Sequence, residues 1–294
     1  MAVALTPVAP LCAATTVMDA NAHYPEGPLW HDGKLLYVEY AGPGVRQWDG
    51  RQWSDYWTLQ GCGPSGLVEF GRNGLLVACY DSNSLVELDE HGRTVRTFTR
   101  DRDGKAFTGP NDFAADGNGG VYFSASGVYD VKAPITGAVL HLSADGRTLV
   151  ELANTIHYSN GLTLSKDRQQ LLVAEMLAGR ILSFPILPDG SLGARSVWAR
   201  LQDIIPQTAN ADAYNGPDGL KLGPDGNYYI AQNGSGRVLV VDADRKLVRA
   251  INVPTPYVTN MGFGGGGRAD PLYITGAFDP WKAPYPGAVY RWTP

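Results

Sequence analysis

Residues 217–242, PDGLKLGPDGNYYIAQNGSGRVLVVD, contain the pattern that decides the fold of this chain. Three strand-like runs begin at Asp218, Tyr228 and Gly236, and turns rich in glycine and aspartate separate them. Short apolar runs bounded by such turns are typical of β-strands joined by tight connections. The segment therefore predicts a small antiparallel sheet of consecutive strands.

The polar turn that opens this segment occurs six times in the chain, each time directly before an apolar strand. Its polar residues are Glu26, Ser65, Asn111, Asn160, Asp218 and Asn260, which lie 39, 46, 49, 58 and 42 residues apart. Repeats of about 40–50 residues with several strands each are typical of propeller blades. We therefore predict an all-β fold, a single six-bladed β-propeller domain over residues 1–294, with residues 1–14 as a poorly ordered N-terminal extension.

The last repeat ends one strand short of the others. An open sheet edge invites pairing with other chains, so a closed ring has to cover it. The N-terminal segment Thr15–Asp19 has the composition of a strand and precedes the first repeat. We predict that this segment supplies the outer strand of the last blade, so that both chain ends fasten the ring.

Composition and charge restrict the partners of the chain. A net charge of −5 and a pI near 5.5 argue against a nucleic-acid partner, because phosphates require a basic face. No apolar run is long enough to span a membrane, and the N-terminal stretch lacks the positive region of a signal peptide. We expect a cytoplasmic protein with a small-molecule substrate, and the oligomeric state stays open.

The three cysteines are Cys12, Cys62 and Cys79, an odd number without paired spacing. This pattern indicates neither a disulfide framework nor a zinc motif. We expect reduced thiols that are buried as small apolar residues. Cys62 precedes the second polar turn and could face the same pocket, but no adjacent base marks it as a nucleophile.

The repeated turns place oxygen-bearing side chains at equivalent positions of one ring. The side chains that can meet on its axis are those of Glu26, Asn111, Asn160 and Asp218. Two carboxylates and two amides offer only oxygen ligands, which hard divalent cations prefer. A single such turn is more often structural, since Asn and Asp stabilise turns by themselves. The equivalence of four positions favours a site for one divalent metal ion. Ser65 and Asn260 occupy the same position in their repeats, but they are equally consistent with supporting the ligands or with lining the channel.

Four of these turns resemble the signature turns of the SMP-30/gluconolactonase/LRE-like family. They are PEGPLW at 25–30, GPNDF at 109–113, SNGL at 159–162 and PDGLK at 217–221, in the family's order. The resemblance extends from about Tyr24 to the C-terminus. It implies a six-bladed propeller with one divalent ion (Ca²⁺, Mg²⁺, Mn²⁺ or Zn²⁺) bound by Glu26, Asn160 and Asp218, with Asn111 as a further ligand or a substrate contact. It also implies hydrolysis of lactones, and related propellers hydrolyse organophosphates.

A mechanism follows from such a site. A divalent cation polarises a lactone carbonyl and acidifies water. Asp218 could take the proton of that water and return it to the leaving alkoxide, or act only as a ligand. Asn111 could orient the substrate or the developing oxyanion. The alternatives are an organophosphate or ester hydrolase on the same site, and a non-catalytic propeller that binds a ligand.

Two more residues are predicted to contact the substrate. Tyr129 lies in an insertion, residues 127–136, that could cover the channel mouth as an apolar lid. His157 lies three residues before Asn160 and could shuttle protons, although a turn histidine packed against the next blade is the more frequent case.

The sequence also bears on the polarity of the substrate. Several family members carry an arginine two residues before the third-blade asparagine, where this chain has Gly109. A guanidinium that could pair with the polar groups of a sugar is therefore absent at that position. The sequence thus allows a sugar lactone or a less polar lactone or ester.

Overall fold

The computed structural model describes residues 15–205, 214–265, 267 and 270–293. Within these residues, 24 strands form six antiparallel sheets of four strands each. The innermost strand of every sheet packs against the innermost strands of both neighbouring sheets, so the sheets close into a ring. The predicted all-β, six-bladed propeller is confirmed.

The first three blades follow one another along the chain after β1 (Thr15–His23). Blade 1 consists of β2 (Pro25–His31), β3 (Lys34–Glu39), β4 (Gly44–Trp48) and β5 (Trp53–Thr58). Blade 2 consists of β6 (Pro64–Phe70), β7 (Gly74–Cys79), β8 (Ser84–Leu88) and β9 (Thr94–Phe98). Blade 3 consists of β10 (Pro110–Ala115), β11 (Val121–Ala125), β12 (Gly137–Leu142) and β13 (Leu149–Ile156).

The second half of the ring repeats the same order. Blade 4 consists of β14 (Ser159–Leu164), β15 (Gln170–Glu175), β16 (Arg180–Pro185) and β17 (Ser196–Arg200), with a 3₁₀ turn at Met176–Ala178 and a short helix α1 (Leu201–Ile204). Blade 5 consists of β18 (Pro217–Leu222), β19 (Tyr228–Gln232), β20 (Arg237–Val241) and β21 (Leu247–Asn252). Blade 6 consists of β22 (Tyr257–Phe263), β23 (Leu272–Ala277) and β24 (Pro286–Trp292), completed by β1.

The N-terminal strand closes blade 6. β1 pairs antiparallel with β24, from Thr15 opposite Trp292 to His23 opposite Pro286, so the predicted closure is confirmed and the strand continues beyond Asp19. Side chains of blade 1 hold β1 from the other side. Tyr37 Oη donates a 3.0 Å hydrogen bond to Asp19 Oδ2. The closing strand therefore joins the two blades that meet where the chain begins and ends.

The apolar core of the described residues lies between the blades. It divides into six clusters, and each cluster combines side chains of two neighbouring blades. Leu36 of blade 1, for example, packs in one cluster with Leu75 of blade 2. A blade has two flat faces with alternating side chains, so each face is buried only when the next blade covers it. The ring as a whole is consequently the unit that buries the core, and the extent of the domain over residues 1–294 stays a prediction because residues 1–14 lie outside the described residues.

The expectation of reduced, unpaired cysteines is wrong for two of the three. Cys62 and Cys79 form a disulfide, with their Cα atoms 4.6 Å apart. Cys79 ends β7, and Asp81 N donates to the carbonyl oxygen of Cys62, so the antiparallel pairing of blade 2 brings the two residues side by side. Both are fully buried, and Cys62 is not among the described residues that line the cavities of the channel. Cys12 lies outside the described residues.

No helix among the described residues is long and apolar enough to cross a membrane.

Candidate functional site in the central channel

The inner strands present the repeated polar residues to the channel. In five blades the polar residue is the second residue of the inner strand: Glu26, Ser65, Asn111, Asn160 and Asp218. The pairing register of each of these strands shifts at this residue or next to it, and the inner strand of blade 6 shifts just before Asn260. A bulge bends the strand and re-aims a side chain. The polar residues that the sequence predicted in turns thus lie at bulges near the start of the inner strands.

Glycine after the polar residue lets the inner strands approach one another. Four blades have it, at positions 27, 66, 161 and 219. A Cβ atom at Gly161 would overlap the backbone of Asp218 and Leu220 in the next blade, and one at Gly66 would overlap the carbonyl oxygen of Asn111. The tight packing of neighbouring inner strands therefore depends on these glycines, and it brings the polar side chains together.

All four residues predicted to surround a metal ion line one cavity of about 320 Å³. Their side chains come from four blades, and the residues are between 3% and 7% exposed. Ser65 lines the same cavity, and its Oγ donates a 2.8 Å hydrogen bond to the carbonyl oxygen of Pro110. The structure thus brings Glu26, Asn111, Asn160 and Asp218 together, and their roles as ligands stay a prediction.

Two oxygens at this point have no partner. Asn160 Oδ1 and Asp218 Oδ1 are buried, and neither accepts a hydrogen bond of good geometry from the described residues. The Asn160 side chain still lies close enough to Asp218 to lower the pKa of that carboxyl. The other atoms of these groups are occupied, since Asn233 Nδ2 donates to Asp218 Oδ2 at 2.8 Å and Asn160 Nδ2 lies 3.4 Å from Met176 Sδ. Buried oxygens without a partner are rare and destabilising. A cation that both oxygens contact would satisfy them.

The electrostatics of the two carboxyl groups also favour a bound cation. Burial raises the pKa of the Glu26 carboxyl well above its usual range, and the carboxylates of Asp218 and Asp112 raise it further. Burial also raises the pKa of Asp218 to about 8, against the hydrogen bond from Asn233. No lysine or arginine of the described chain lines this cavity. A bound divalent cation would allow both carboxylates to ionise at neutral pH.

The oxygen atoms of these side chains fit a hard divalent cation, and carboxylates supply only part of the set. Among the described residues, no group of three or more His, Cys, Asp or Glu side chains is placed to hold a metal ion. Glu26 and Asp218 supply two carboxylates, and amide oxygens would have to supply the other protein ligands. Carboxylate and amide oxygens are the ligands that Ca²⁺ takes in proteins.

Sequence reasoning missed Asp112, the residue after Asn111. Asp112 is 1% exposed, and Lys221 Nζ donates to its Oδ1 and Oδ2 at 3.0 and 2.9 Å. Asn260 Nδ2 donates to Asp112 Oδ2 at 3.2 Å, and the Asn260 side chain also lowers the pKa of Glu26 through a hydrogen bond. The amide of Asn260 therefore lies between two carboxylates. One signal could have found Asp112: it stands where four other blades have glycine.

Asp112 and Lys221 mark the floor of the site. Later residues of the same inner strands, such as Leu29 and Leu222, line a second cavity of about 500 Å³ together with this ion pair. Since each inner strand runs along the channel, the two cavities occupy its opposite ends. Glu26 and Asp218 line the first cavity, and Asp112 lies between them and the second one.

Aromatic side chains form the walls of the first cavity. They are Tyr24, Tyr40, Tyr80, Tyr129, Tyr158, Tyr257, Tyr285 and Trp281. Tyr129, a predicted substrate contact, is among them. His157, the other predicted contact, is not: its backbone N–H donates to Glu175 Oε1 at 2.9 Å, and its Nε2 is buried without a partner among the described residues. Sequence reasoning missed the other seven aromatic residues, because they lie far apart along the chain and follow no common spacing.

Comparison with known proteins identifies the family of the chain. The sequence model of the SMP-30/gluconolactonase/LRE-like region matches residues 24–278. Regucalcin of Danio rerio is 27% identical over 262 residues, which cover 86% of this chain and 82% of that protein. Pentonolactonase XacC of Haloferax volcanii is 28% identical over 270 residues, which cover 90% of this chain and 84% of that protein.

Solved structures with the same fold include a gluconolactonase of Xanthomonas campestris, with a TM-score of 0.77 at 22% identity over 96% of this chain and 90% of that one. A calcium-binding regucalcin of Agrobacterium tumefaciens has a TM-score of 0.73 at 18% identity over 95% of this chain and 93% of that one. At these identities the likeness shows the fold alone. The match of the family's sequence model covers most of the chain, and the chain therefore belongs to the SMP-30/gluconolactonase/LRE-like family.

Proposed function

We propose that this protein hydrolyses a lactone to the hydroxy acid, with one divalent cation bound in the first cavity. The observation that carries the proposal is the pair of buried, unpartnered oxygens, Asn160 Oδ1 and Asp218 Oδ1, on residues that line the cavity with Glu26 and Asn111. The relatives support the reaction class, since they include a pentonolactonase and the lactonase drp35 of Staphylococcus aureus.

Glu26, Asn160 and Asp218 would hold the cation, with Asn111 beside it as a ligand or as a contact to substrate. When bound, a divalent cation polarises the ester carbonyl and makes water a better nucleophile near neutral pH. An oxygen-only donor set favours Ca²⁺, Mg²⁺ or Mn²⁺ over Zn²⁺, which is more often bound through nitrogen and sulfur. A relative described as calcium-binding supports Ca²⁺ as the first ion to test.

The protein's own side chains supply the remaining steps. Asn233 orients the Asp218 carboxylate through a hydrogen bond to Oδ2. With Oδ1 on the cation, Asp218 would act as a ligand. As a general base it would accept the proton of the attacking water on an oxygen that does not contact the cation, and would return it to the leaving alkoxide. The Asn111 amide would hydrogen-bond the carbonyl oxygen as negative charge develops on it. The aromatic walls exclude bulk water, which strengthens these polar interactions in the cavity.

The partner in this proposal is a small molecule, because a cavity of about 320 Å³ is the size of a small-ligand site. A nucleic acid or a membrane has no part in it. Cytoplasmic localisation stays a prediction. The disulfide between Cys62 and Cys79 favours an oxidising compartment instead, because disulfides are rare in most cytosolic proteins.

Chelation and add-back test the proposal. Purified protein is treated with a chelator and dialysed, and turnover of aliphatic and sugar lactones is measured before and after addition of Ca²⁺, Mg²⁺, Mn²⁺ or Zn²⁺. We expect turnover to be lost and then restored by at least one ion. Full turnover in the chelated protein would overturn the metal dependence, and no turnover of any lactone with any ion would overturn the lactonase.

Calorimetric titration separates binding from catalysis. Asp218→Asn removes a charge at the site, so we expect its affinity for the restoring ion to fall at least tenfold. Asp244→Asn is the matched control, because Asp244 lies in an exposed turn of the same blade. Its affinity and turnover should equal those of the wild type. Equal affinity in Asp218→Asn and wild type would show that the ion binds elsewhere.

A further inference from the structure

A continuous row of aromatic rings surrounds the entrance of the first cavity. We call this row the aromatic belt; in spatial order it comprises Tyr24, Tyr40, Tyr80, Tyr158, Tyr129 and Trp281. The centroids of successive rings lie 5.5, 6.0, 6.5, 4.7 and 5.9 Å apart. These separations are those of direct aromatic pairs. All six residues line the cavity that contains Glu26 and Asp218.

The hydroxyl groups of the belt are largely committed to the protein. Tyr40 Oη donates to Asp81 Oδ1 at 2.9 Å, and Tyr80 Oη donates to the carbonyl oxygen of Gly127 at 3.0 Å. Tyr158 Oη donates to Tyr80 Oη at 3.3 Å, and Tyr129 Oη donates to the carbonyl oxygen of Tyr214 at 2.7 Å. A phenol has one proton to donate. These four hydroxyls therefore offer a ligand no further donor, and their rings provide the apolar surface of the wall.

Charge is confined to the floor of the cavity. Glu26 and Asp218 are the carboxylate side chains among its described lining residues, which include no lysine, arginine or histidine. The wall therefore has no cation or carboxylate that could pair with the hydroxyls of a sugar ring. Gly109, at the start of blade 3, adds none. Neutral hydrogen-bonding side chains of the same cavity, those of Ser65, Asn111 and Asn233, lie on the inner strands or next to them rather than on the aromatic wall. The hydroxyl groups of a sugar that face the rings of the wall would lose water without gaining a partner there, which weakens binding.

Trp281 extends the belt to the surface. Its side chain is 60% exposed, and its ring lies nearly parallel to that of Tyr129, at an angle of 17°. Ligand pockets are lined mainly by apolar and aromatic side chains, and Trp281 continues this lining from the cavity to the surface. A flat ring that enters the cavity can stack on this side chain while its ester group reaches the floor.

We propose that the aromatic belt selects a lactone that is fused to, or carries, a flat aromatic ring over a polyhydroxylated lactone of similar size. This inference rests on the proposed lactone hydrolysis. The cavity volume of about 320 Å³ lies at the lower end of the range for small-molecule sites, which favours a bicyclic substrate over a larger one. The aromatic ring contacts the belt, and the ester group lies at Asp218 and Glu26.

The test compares three δ-lactones by kcat/KM: a benzo-fused lactone whose leaving group is an alkoxide, an unsubstituted aliphatic lactone, and an aldonolactone. An alkoxide leaving group keeps the intrinsic reactivity of the first two similar, and each rate is divided by the rate with hydroxide alone. We expect the wild type to prefer the benzo-fused lactone over the aldonolactone at least tenfold. A preference for the aldonolactone, or equal values, would overturn the inference while lactone hydrolysis stands.

Trp281→Ala tests the belt directly. We expect kcat/KM for the benzo-fused lactone to fall about tenfold, mainly through KM, and the value for the aliphatic lactone to change less than twofold. Phe278→Ala is the matched control, because Phe278 lies in the same β23–β24 connection, is 46% exposed and does not line the cavity. It should leave all three values unchanged. A uniform loss on all three lactones in Trp281→Ala would refute selection by the aromatic ring.

A binding measurement keeps the inference testable if no lactone is hydrolysed. The probe is a benzo-fused δ-lactam, compared by calorimetry with the unsubstituted δ-lactam. We expect the wild type to bind the benzo-fused probe at least tenfold more tightly and Trp281→Ala to lose that difference. Equal affinity for the two lactams in the wild type would overturn the belt as an aromatic site, independently of any reaction.

Discussion

The ion pair between Lys221 and Asp112, beneath the site, gives the most direct experimental test of the structure. In the variant Lys221→Met, a side chain of similar length keeps the packing and removes the positive charge. Asp112, which is 1% exposed, then retains its hydrogen bonds from the backbone N–H of Phe113, at 2.7 Å, and from the amide of Asn260, at 3.2 Å. Its charge has no other ion-pair partner among the described residues.

The size of the effect follows from burial. Removing one partner of a buried ion pair typically costs about 3–5 kcal/mol, because the other charge stays buried without compensation. The Lys221 side chain is 24% exposed, so water already screens part of the interaction, and two N–H donors remain on Asp112. We therefore expect Lys221→Met to lower the free energy of unfolding by about 2–3 kcal/mol, which is less than the loss for a fully buried pair. In a domain of this size the loss corresponds to about 5 °C in the unfolding temperature.

Urea unfolding followed by tryptophan fluorescence measures this loss. Lys246→Met is the matched control, because Lys246 is exposed in the same blade and belongs to no ion pair among the described residues. The control should remain within about 0.5 kcal/mol of the wild type. The double variant Asp112→Asn/Lys221→Met removes both charges and should recover more than half of the lost stability, since an uncharged pair leaves no buried ion.

Two results would refute this reasoning. If Lys221→Met unfolds at the same urea concentration as Lys246→Met, the ion pair contributes nothing to the free energy of unfolding. The N–H donors alone then stabilise the buried charge of Asp112. If the double variant is less stable than Lys221→Met, the single variant was destabilised by lost packing rather than by an uncompensated charge.

Three further predictions concern the fold. Cys62→Ser/Cys79→Ser should lower the free energy of unfolding by about 3 kcal/mol, the loop-entropy value for a disulfide between residues 17 apart. Reductant should produce the same loss in the wild type. Equal urea midpoints of the wild type with and without reductant would contradict the prediction. Gly161→Ala should lower the unfolding temperature in a thermal melt, because its Cβ would overlap the backbone of blade 5; an unchanged melt would mean that the inner strands can separate at no cost. Deleting residues 1–23 should leave the edge of β24 open and produce oligomers in size-exclusion chromatography, and a monomeric, equally stable product would show that the closing strand is dispensable.

Much of the fold could be predicted because its signals are local. The turn chemistry around Asp218 and the apolar runs after it indicate strands within one repeat, and the recurrence of that pattern indicates the number of blades. The missing strand of the last repeat pointed to the segment that begins at Thr15, and β1 pairs with β24 as expected. The same periodicity predicted that Glu26 and Asn160 meet in the channel, because equivalent positions of a ring face its axis.

Some features of the structure could not be predicted from local patterns, because they depend on pairing register and on the closure of the ring. Cys62 and Cys79 lie 17 residues apart at no recognisable spacing, and only the register of blade 2 places them side by side. Lys221 lies 109 residues after Asp112 and reaches it across the channel from another blade. His157 was expected near the substrate from its spacing alone, but the path of the chain before β14 places it outside the cavity lining.

By itself, then, the sequence determined the six-bladed propeller, the strand that closes it and the oxygen-bearing side chains on its axis, since each of these repeats within a segment of a few dozen residues. The tertiary structure alone decided the disulfide, the buried pair of Asp112 and Lys221 and the aromatic belt around the entrance. Those features join residues of different strands or blades, whose side chains become neighbours only when the sheets pair in register and the ring brings its inner strands together.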